Sequence, residues 1–360
     1  MSICLRGSSC RESVRAMRSA MNHMIKYIHL FIIGIVLTFV AAVCDAKREH
    51  FIEGGTMGTT YHITVVTDSF QGVAGLKEKI DFRLKEINHS MSTYQKDSEI
   101  SRFNRFSVAG QKFKISSDFF QVMEAGQTIY RLSDGAWDAT VNPLLELWGF
   151  GPGLPLNRVP PQNEIAALLP EVGFSNIEIL PPDFLVKKRP AVTIDLSSIA
   201  KGYGVDQVAD LIRGNGFDNY LVEIGGEIVA TGDRKDGLPW RVGINRPQPD
   251  SAFDEVYRVV ALHNQAFATS GDYRNFFEAG GVRYSHVIDP RTGYPVSNGV
   301  ASVSIIADTC TLADGLATAV MVMGPEKGLD LVNRLDGVEA FIVVEEKGGG
   351  LINYSSKGFK

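Results

Sequence analysis

At 360 residues, 44% hydrophobic and 21% charged, the chain is long enough to bury a sizeable core and too apolar to be disordered throughout. Its 36 Lys and Arg against 41 Asp and Glu give a net charge of −5, with no basic block in the body of the chain, which argues against a nucleic-acid partner. Cys4, Cys10 and Cys44 fall near the N-terminus, so Cys310 is alone in the body, and neither an intrachain disulfide nor a cysteine zinc site is expected.

In chain order, Arg6, Arg11, Arg15, Arg18 and Lys26 precede an uncharged apolar run over 27–43, the pattern of an export signal. Residues 1–46 are therefore expected to be a signal segment and 47–360 the folded body; a start at Met21 or Met24 would give a signal of ordinary length. Cleavage after Ala46 would release a soluble product, and lipidation of Cys44 would anchor it to a membrane surface. Either exit predicts an exported protein.

Alternating β-branched residues predict a strand over 58–66, and Val73, Leu76, Ile80, Leu84 and Ile87 predict an amphipathic helix over 72–90. A capped helix is expected over 117–132, a Gly/Pro-rich loop over 149–162, and a short helix over 163–171. Strands lead to Asp195, followed by a helix over 199–213 whose first turn would carry Ser197 and Ser198 and which Gly214 and Gly216 would end. Strands dominate 219–269. A strand is expected over 300–307, helices over 310–323 and 325–335, and a closing hairpin over 338–354. Helices and strands mix without a βαβ rhythm, so the fold class is α+β.

No phosphate-loop, paired-histidine zinc or nucleophile-elbow motif is present. Four polar clusters carry the candidate chemistry. The loop at 269–274 offers small residues, hydroxyls including Ser270, and Arg274; it reads as a cradle for phosphate oxygens or as an ordinary hairpin turn. In 285–293, His286 and Ile288 share one strand face with Asp289 at its end; the imidazole is either structural or an acid/base. On the helix 310–323, Asp314 and Thr318 lie four residues apart on one face, a carboxylate and a hydroxyl for one hard cation, unless Asp314 merely compensates the helix start. The fourth, 195–204, runs into a helix start with Lys201 one turn on, an anion platform or a simple cap.

Read in order with Gly55-Thr56-Met57-Gly58-Thr59, Met91-Ser92-Thr93-Tyr94, Ser98 to Asn104, Gly135-Ala136-Trp137-Asp138, Asn142-Pro143-Leu144 and Gly225-Gly226, these clusters resemble the ApbE-type FAD:protein FMN transferases. The resemblance runs from about Gly55 to Val344 and implies an exported, often lipid-anchored, magnesium-dependent enzyme. Such an enzyme splits FAD and leaves FMN on a Thr or Ser hydroxyl of an acceptor flavoprotein, typically a subunit of a membrane electron-transfer complex. It implies FAD held in a cleft by Met57, Tyr94, Ala136, Trp137, Asp138, Asp195, Lys201 and Ile288, where the rings of Tyr94 and Trp137 would be able to cover the flavin or adenine ring by stacking. Magnesium would be held by Ser198, Asp314 and Thr318, the first through its backbone carbonyl. Ala317 stands where some members carry a second Asp. His286 is then expected as acid/base or phosphate contact, with Asp289 as its substitute.

Overall fold

Tyr61, Ile63 and Val65 are fully or almost fully buried while His62 between them faces solvent, the period of two that a strand with one buried face demands. They belong to an eight-stranded sheet in a computed structural model that describes residues 15–32, 47–151, 158–248, 251–252, 255–272, 275–346 and 348–360. The sheet strands are β1 (Arg48–Thr56), β2 (Thr59–Thr67), β3 (Asn219–Ile224), β4 (Glu227–Thr231), β5 (Gln265–Gly271), β6 (Val300–Ala307), β7 (Glu339–Glu345) and β8 (Leu351–Ser355). They lie side by side in chain order, and every pairing from β2 onward is antiparallel. With no parallel pair among these, no crossover helix is needed, and the helices are free to collect on one face. The α+β expectation holds.

Four helices matter for the site: α1 (Leu76–Met91), α2 (Ser117–Leu132), α3 (Ala200–Gly214) and α4 (Cys310–Met323). Helix α4 packs on β5 and β6 and against α3 and α2. Its Leu316 and Val320 join Val303 and Ile305 of β6, and Phe119, Val122 and Ile129 of α2, in one core. On the other face, Ile306, Phe267, Ile228 and Phe341 meet Trp240, Val242 and Leu262 from the hairpin Trp240–Asn245/Val256–Leu262. Both faces are thus covered, which is why β6 is buried at all eight positions and is apolar at all but Ser302 and Ser304. Each such Val or Ile contributes roughly 1.5–3 kcal/mol by burial.

The chain groups into two units, Met1–Arg48 with Thr67–Gly72, and Glu49–Val66 with Val73–Lys360. In the first, residues 15–32 form a helix exposed along its length. Among the described residues no helix is long and apolar enough to cross a membrane. Cys44 and Ala46 lie outside the described residues, as does Arg274.

Helices α2 and α4 have the expected ends. Helix α3 starts later than expected, at Ala200, so Ser197 and Ser198 precede it in a turn and Ile199 caps it without a side-chain bond. Helices Glu99–Arg105 and Asn142–Trp148, too short for a clear apolar period, were not anticipated. The strand expected through His286 is interrupted: Val282–Ser285 and Ile288–Asp289 are separate, each in its own two-stranded sheet.

Candidate active site

The chain leaving α2 turns at Gly135 and presents Ala136, Trp137 and Asp138. Trp137 is seated by α2 itself: a side chain at Gly126 would come within 2.7 Å of the indole ring. Its backbone N–H donates to Ser133 Oγ at 3.1 Å, and its indole N–H donates to Ser198 Oγ at 2.9 Å, joining the 133–138 loop to the turn before α3. Buried Asp138 accepts from the Thr140 N–H and hydroxyl and from the Phe174 N–H. Burial raises its pKa against these bonds. Its carboxylate is therefore chiefly occupied in fastening the loop.

Asp195 is positioned by backbone. Its N–H donates to the Ala139 carbonyl, and its Oδ1 accepts the Ser197 N–H at 2.8 Å. One residue earlier, the Asn104 amide brackets Ile194, donating to its carbonyl and accepting its N–H, both at 2.8 Å. Asn104 lies in the helix Glu99–Arg105, and its bracket gives the Ser98-to-Asn104 motif a physical task.

Helices α3 and α4 meet at Gly202. A Cβ there would overlap the Cys310 carbonyl and come within 2.8 Å of Asp314 Cβ, so only glycine permits the approach. The Gly202 N–H donates to Asp314 Oδ2 at 2.9 Å. Asp314 is buried, and that burial raises its pKa against the Lys201 charge and the Gly202 bond. It does not cap α4, because Thr309 does: its side chain accepts the Leu312 N–H. One turn on, Thr318 Oγ1 lies 2.9 Å from Ser270 Oγ on β5. Lys201 reaches Glu227, the first residue of β4, with Nζ to Oε1 at 2.5 Å. Burial alone would lower the pKa of the ammonium; the charges of Asp314 and Glu227 outweigh it and hold Lys201 protonated.

These groups line two adjoining hollows. One, of about 360 Å³, is bounded by Ala136, Trp137, Asp138, Ser198, Glu227, Ser270, His286, Ile288, Asp314 and Thr318 among others. The second, of about 740 Å³, is bounded by Met57, Tyr94 and neighbours on β1, α1 and the turns after them. Asp195, Ser197 and Lys201 border both. Met57, in the turn after β1 at φ 50°, has its methyl over Gly204, where a Cβ would lie 2.8 Å from Cε. Tyr94 is 79% exposed and Trp137 2%. They border different hollows, Trp137 the smaller and Tyr94 the larger.

His286 borders the smaller hollow, half-buried. Its Nδ1 is 2.9 Å from the Asn275 carbonyl, which can only accept, so Nδ1 carries the proton and Nε2 keeps its lone pair. Burial lowers its pKa, and the Asn275 bond opposes that only partly. Asp289 lies elsewhere: it does not border the hollow, and Arg291 clasps both its oxygens at 2.8 Å. That pairing opposes its use as a substitute base. Glu227 escaped the sequence reading, although its position just after Gly225-Gly226 marked a strand start.

A model described as the ApbE family matches residues 57–342. The chain belongs to the ApbE family. The matched stretch holds every residue bordering the two hollows except Gly55 and Thr56. A Vibrio cholerae relative named FAD:protein FMN transferase is 41% identical over 334 residues, 92% of this chain and 98% of that one. The Escherichia coli K12 relative of the same name is 35% identical, over 92% and 94%. Among solved ApbE structures, the Vibrio cholerae flavin transferase matches with a TM-score of 0.79 at 40% identity, covering 87% of this chain and 98% of that one. The apo form of Pseudomonas stutzeri flavinyl transferase ApbE matches at 0.78 and 39%, covering 86% and 95%.

Proposed function

We propose that this chain transfers the FMN moiety of FAD to a Thr or Ser hydroxyl of an acceptor flavoprotein and releases AMP. The observation that carries this reading is the pair of hollows joined at Asp195, Ser197 and Lys201, in a chain 41% identical to a FAD:protein FMN transferase over nearly that protein's whole length. A dinucleotide needs two ring pockets and a polar bridge between them, and this arrangement supplies all three.

The residues divide the work. Lys201, at the join, would meet the diphosphate oxygens with its ammonium, and Ser270 would add a hydroxyl. His286 Nε2 would take the proton of the acceptor hydroxyl as its oxygen bonds to the FMN-side phosphorus. The bond from that phosphorus to the bridging oxygen breaks, and AMP leaves with the electron pair. Among the groups bordering the smaller hollow, Asp314, Thr318 and the backbone at Ser198 offer one carboxylate, one hydroxyl and one carbonyl, an all-oxygen set that fits magnesium, which takes a few protein oxygens and completes its shell with water and phosphate. Asp314, Thr318 and the backbone at Ser198 would hold the ion, and its charge would neutralise the diphosphate.

Export also belongs to this reading, supported by the basic flank and the apolar run over 27–43. The acceptor would then be a membrane electron-transfer subunit at the periplasmic face. The test is incubation with FAD, magnesium and an acceptor domain, followed by intact-mass measurement. A gain of one FMN phosphoryl unit is expected. Release of FMN and AMP with no gain would replace transfer by hydrolysis, and no turnover would leave a flavin-binding protein.

A further inference from the structure

Glu227 is 2% exposed, opens β4 and borders the smaller hollow, yet nothing in the reaction described above uses it. A buried carboxylate costs several kcal/mol of desolvation unless it is paired and hydrogen-bonded. Here the pairing is one-sided: Oε1 takes the Lys201 ammonium at 2.5 Å, while Oε2 has no hydrogen-bond partner among the described residues. An apolar side chain would close this end of the core at lower cost. The pair therefore does something other than fill space, and its place at the join of the two hollows says what.

We propose that Glu227 is a positioning residue: its carboxylate holds the Lys201 ammonium at the bridge between the hollows, where it meets the diphosphate of FAD. The inference rests on the transferase reading. A lysine on four methylenes samples many rotamers, and fixing the head group before ligand arrives removes that entropy from the binding step. The anchor comes from β4, the lysine from the first turn of α3, so the ammonium is set between the sheet and the helix layer. Glu227 itself need not touch the nucleotide.

The test is a double-mutant cycle in the full chain: wild type, E227Q, K201Q and the double variant, each read by equilibrium FAD affinity and by steady-state transfer. In the wild-type background E227Q is expected to weaken FAD binding and lower kcat/KM by about 10-fold or more; in the K201Q background it should change either by less than about 2-fold. E227D, which keeps the charge one methylene shorter, should recover part of the loss. Equal losses in both backgrounds, or no loss in either, would overturn the proposal, because Glu227 would then act independently of Lys201 or not at all. Should E227Q fail to melt cooperatively, E227D runs the same cycle, and failure of both makes Glu227 a core residue and overturns the proposal. A wild-type chain that binds no FAD would instead sink the transferase reading.

Discussion

His286 and Asp314 are both polar groups whose neighbours decide their protonation, and opposite consequences follow. The Asn275 carbonyl leaves Nε2 of His286 with its lone pair, and burial lowers the imidazole's pKa below its usual 6.5. The base is the neutral form, so kcat/KM is expected to hold through neutral pH and to fall as pH drops through a value under 6.5. His286→Ala should cost about 10²–10⁴-fold in transfer with FAD affinity nearly unchanged. A flat acid limb in the pH–rate profile, or transfer at the wild-type rate, would exclude that role. Asp314→Asn keeps an oxygen for the Gly202 N–H but removes the charge. Transfer should fall by roughly 10³-fold or more while the melting temperature stays level or rises, since a buried charge has gone. Unimpaired magnesium-dependent turnover would contradict the cation site. The Asp314–Thr318 spacing was legible in sequence because it is a property of one helix. The Glu227–Lys201 pair was not, because its members lie on different elements.

At the scale of elements, the site depends on how closely α3 can approach α4. Gly202 is the point of contact, and Gly202→Ala would put a methyl 2.8 Å from Asp314 Cβ and against the Cys310 carbonyl backbone. Overpacking of this kind costs typically 1–3 kcal/mol, and here it should also displace the Asp314 carboxylate. Urea unfolding should show the lost stability, and transfer measured well below the melting temperature should show a separate loss of rate; a variant stable and fully active would mean the helices can part freely. Helices α2 and α4 and strand β6 were legible end to end because capping residues and apolar runs mark them locally. The start of α3 was not, since no side chain caps it and the turn through Ser197 and Ser198 is held by Asp195 and Trp137. The break in the strand through His286 was not legible either: the Val287 N–H turns back to Ser285 Oγ, and the Val287 carbonyl takes the Val296 N–H.

For the whole molecule, the sheet separates two tasks. Its helix face carries the site, whereas the hairpin Trp240–Asn245/Val256–Leu262 covers the opposite face and borders neither hollow. Trp240→Ala should therefore cost about 3–5 kcal/mol of stability yet leave FAD affinity within about 2-fold at temperatures where the variant stays folded. A large loss of affinity without unfolding would mean that the two faces are coupled. Composition, periodicity and motif order by themselves determined the fold class, most helices and strands, and the residue types that gather around a dinucleotide, because each is written in neighbours a few positions apart. Only the tertiary structure decided which of those residues share a hollow, that Asp289 is paired with Arg291 and does not border it, and that Glu227 does. The physical reason is that burial, pairing and proton placement are set by atoms brought together from distant parts of the chain, and local spacing carries no record of them.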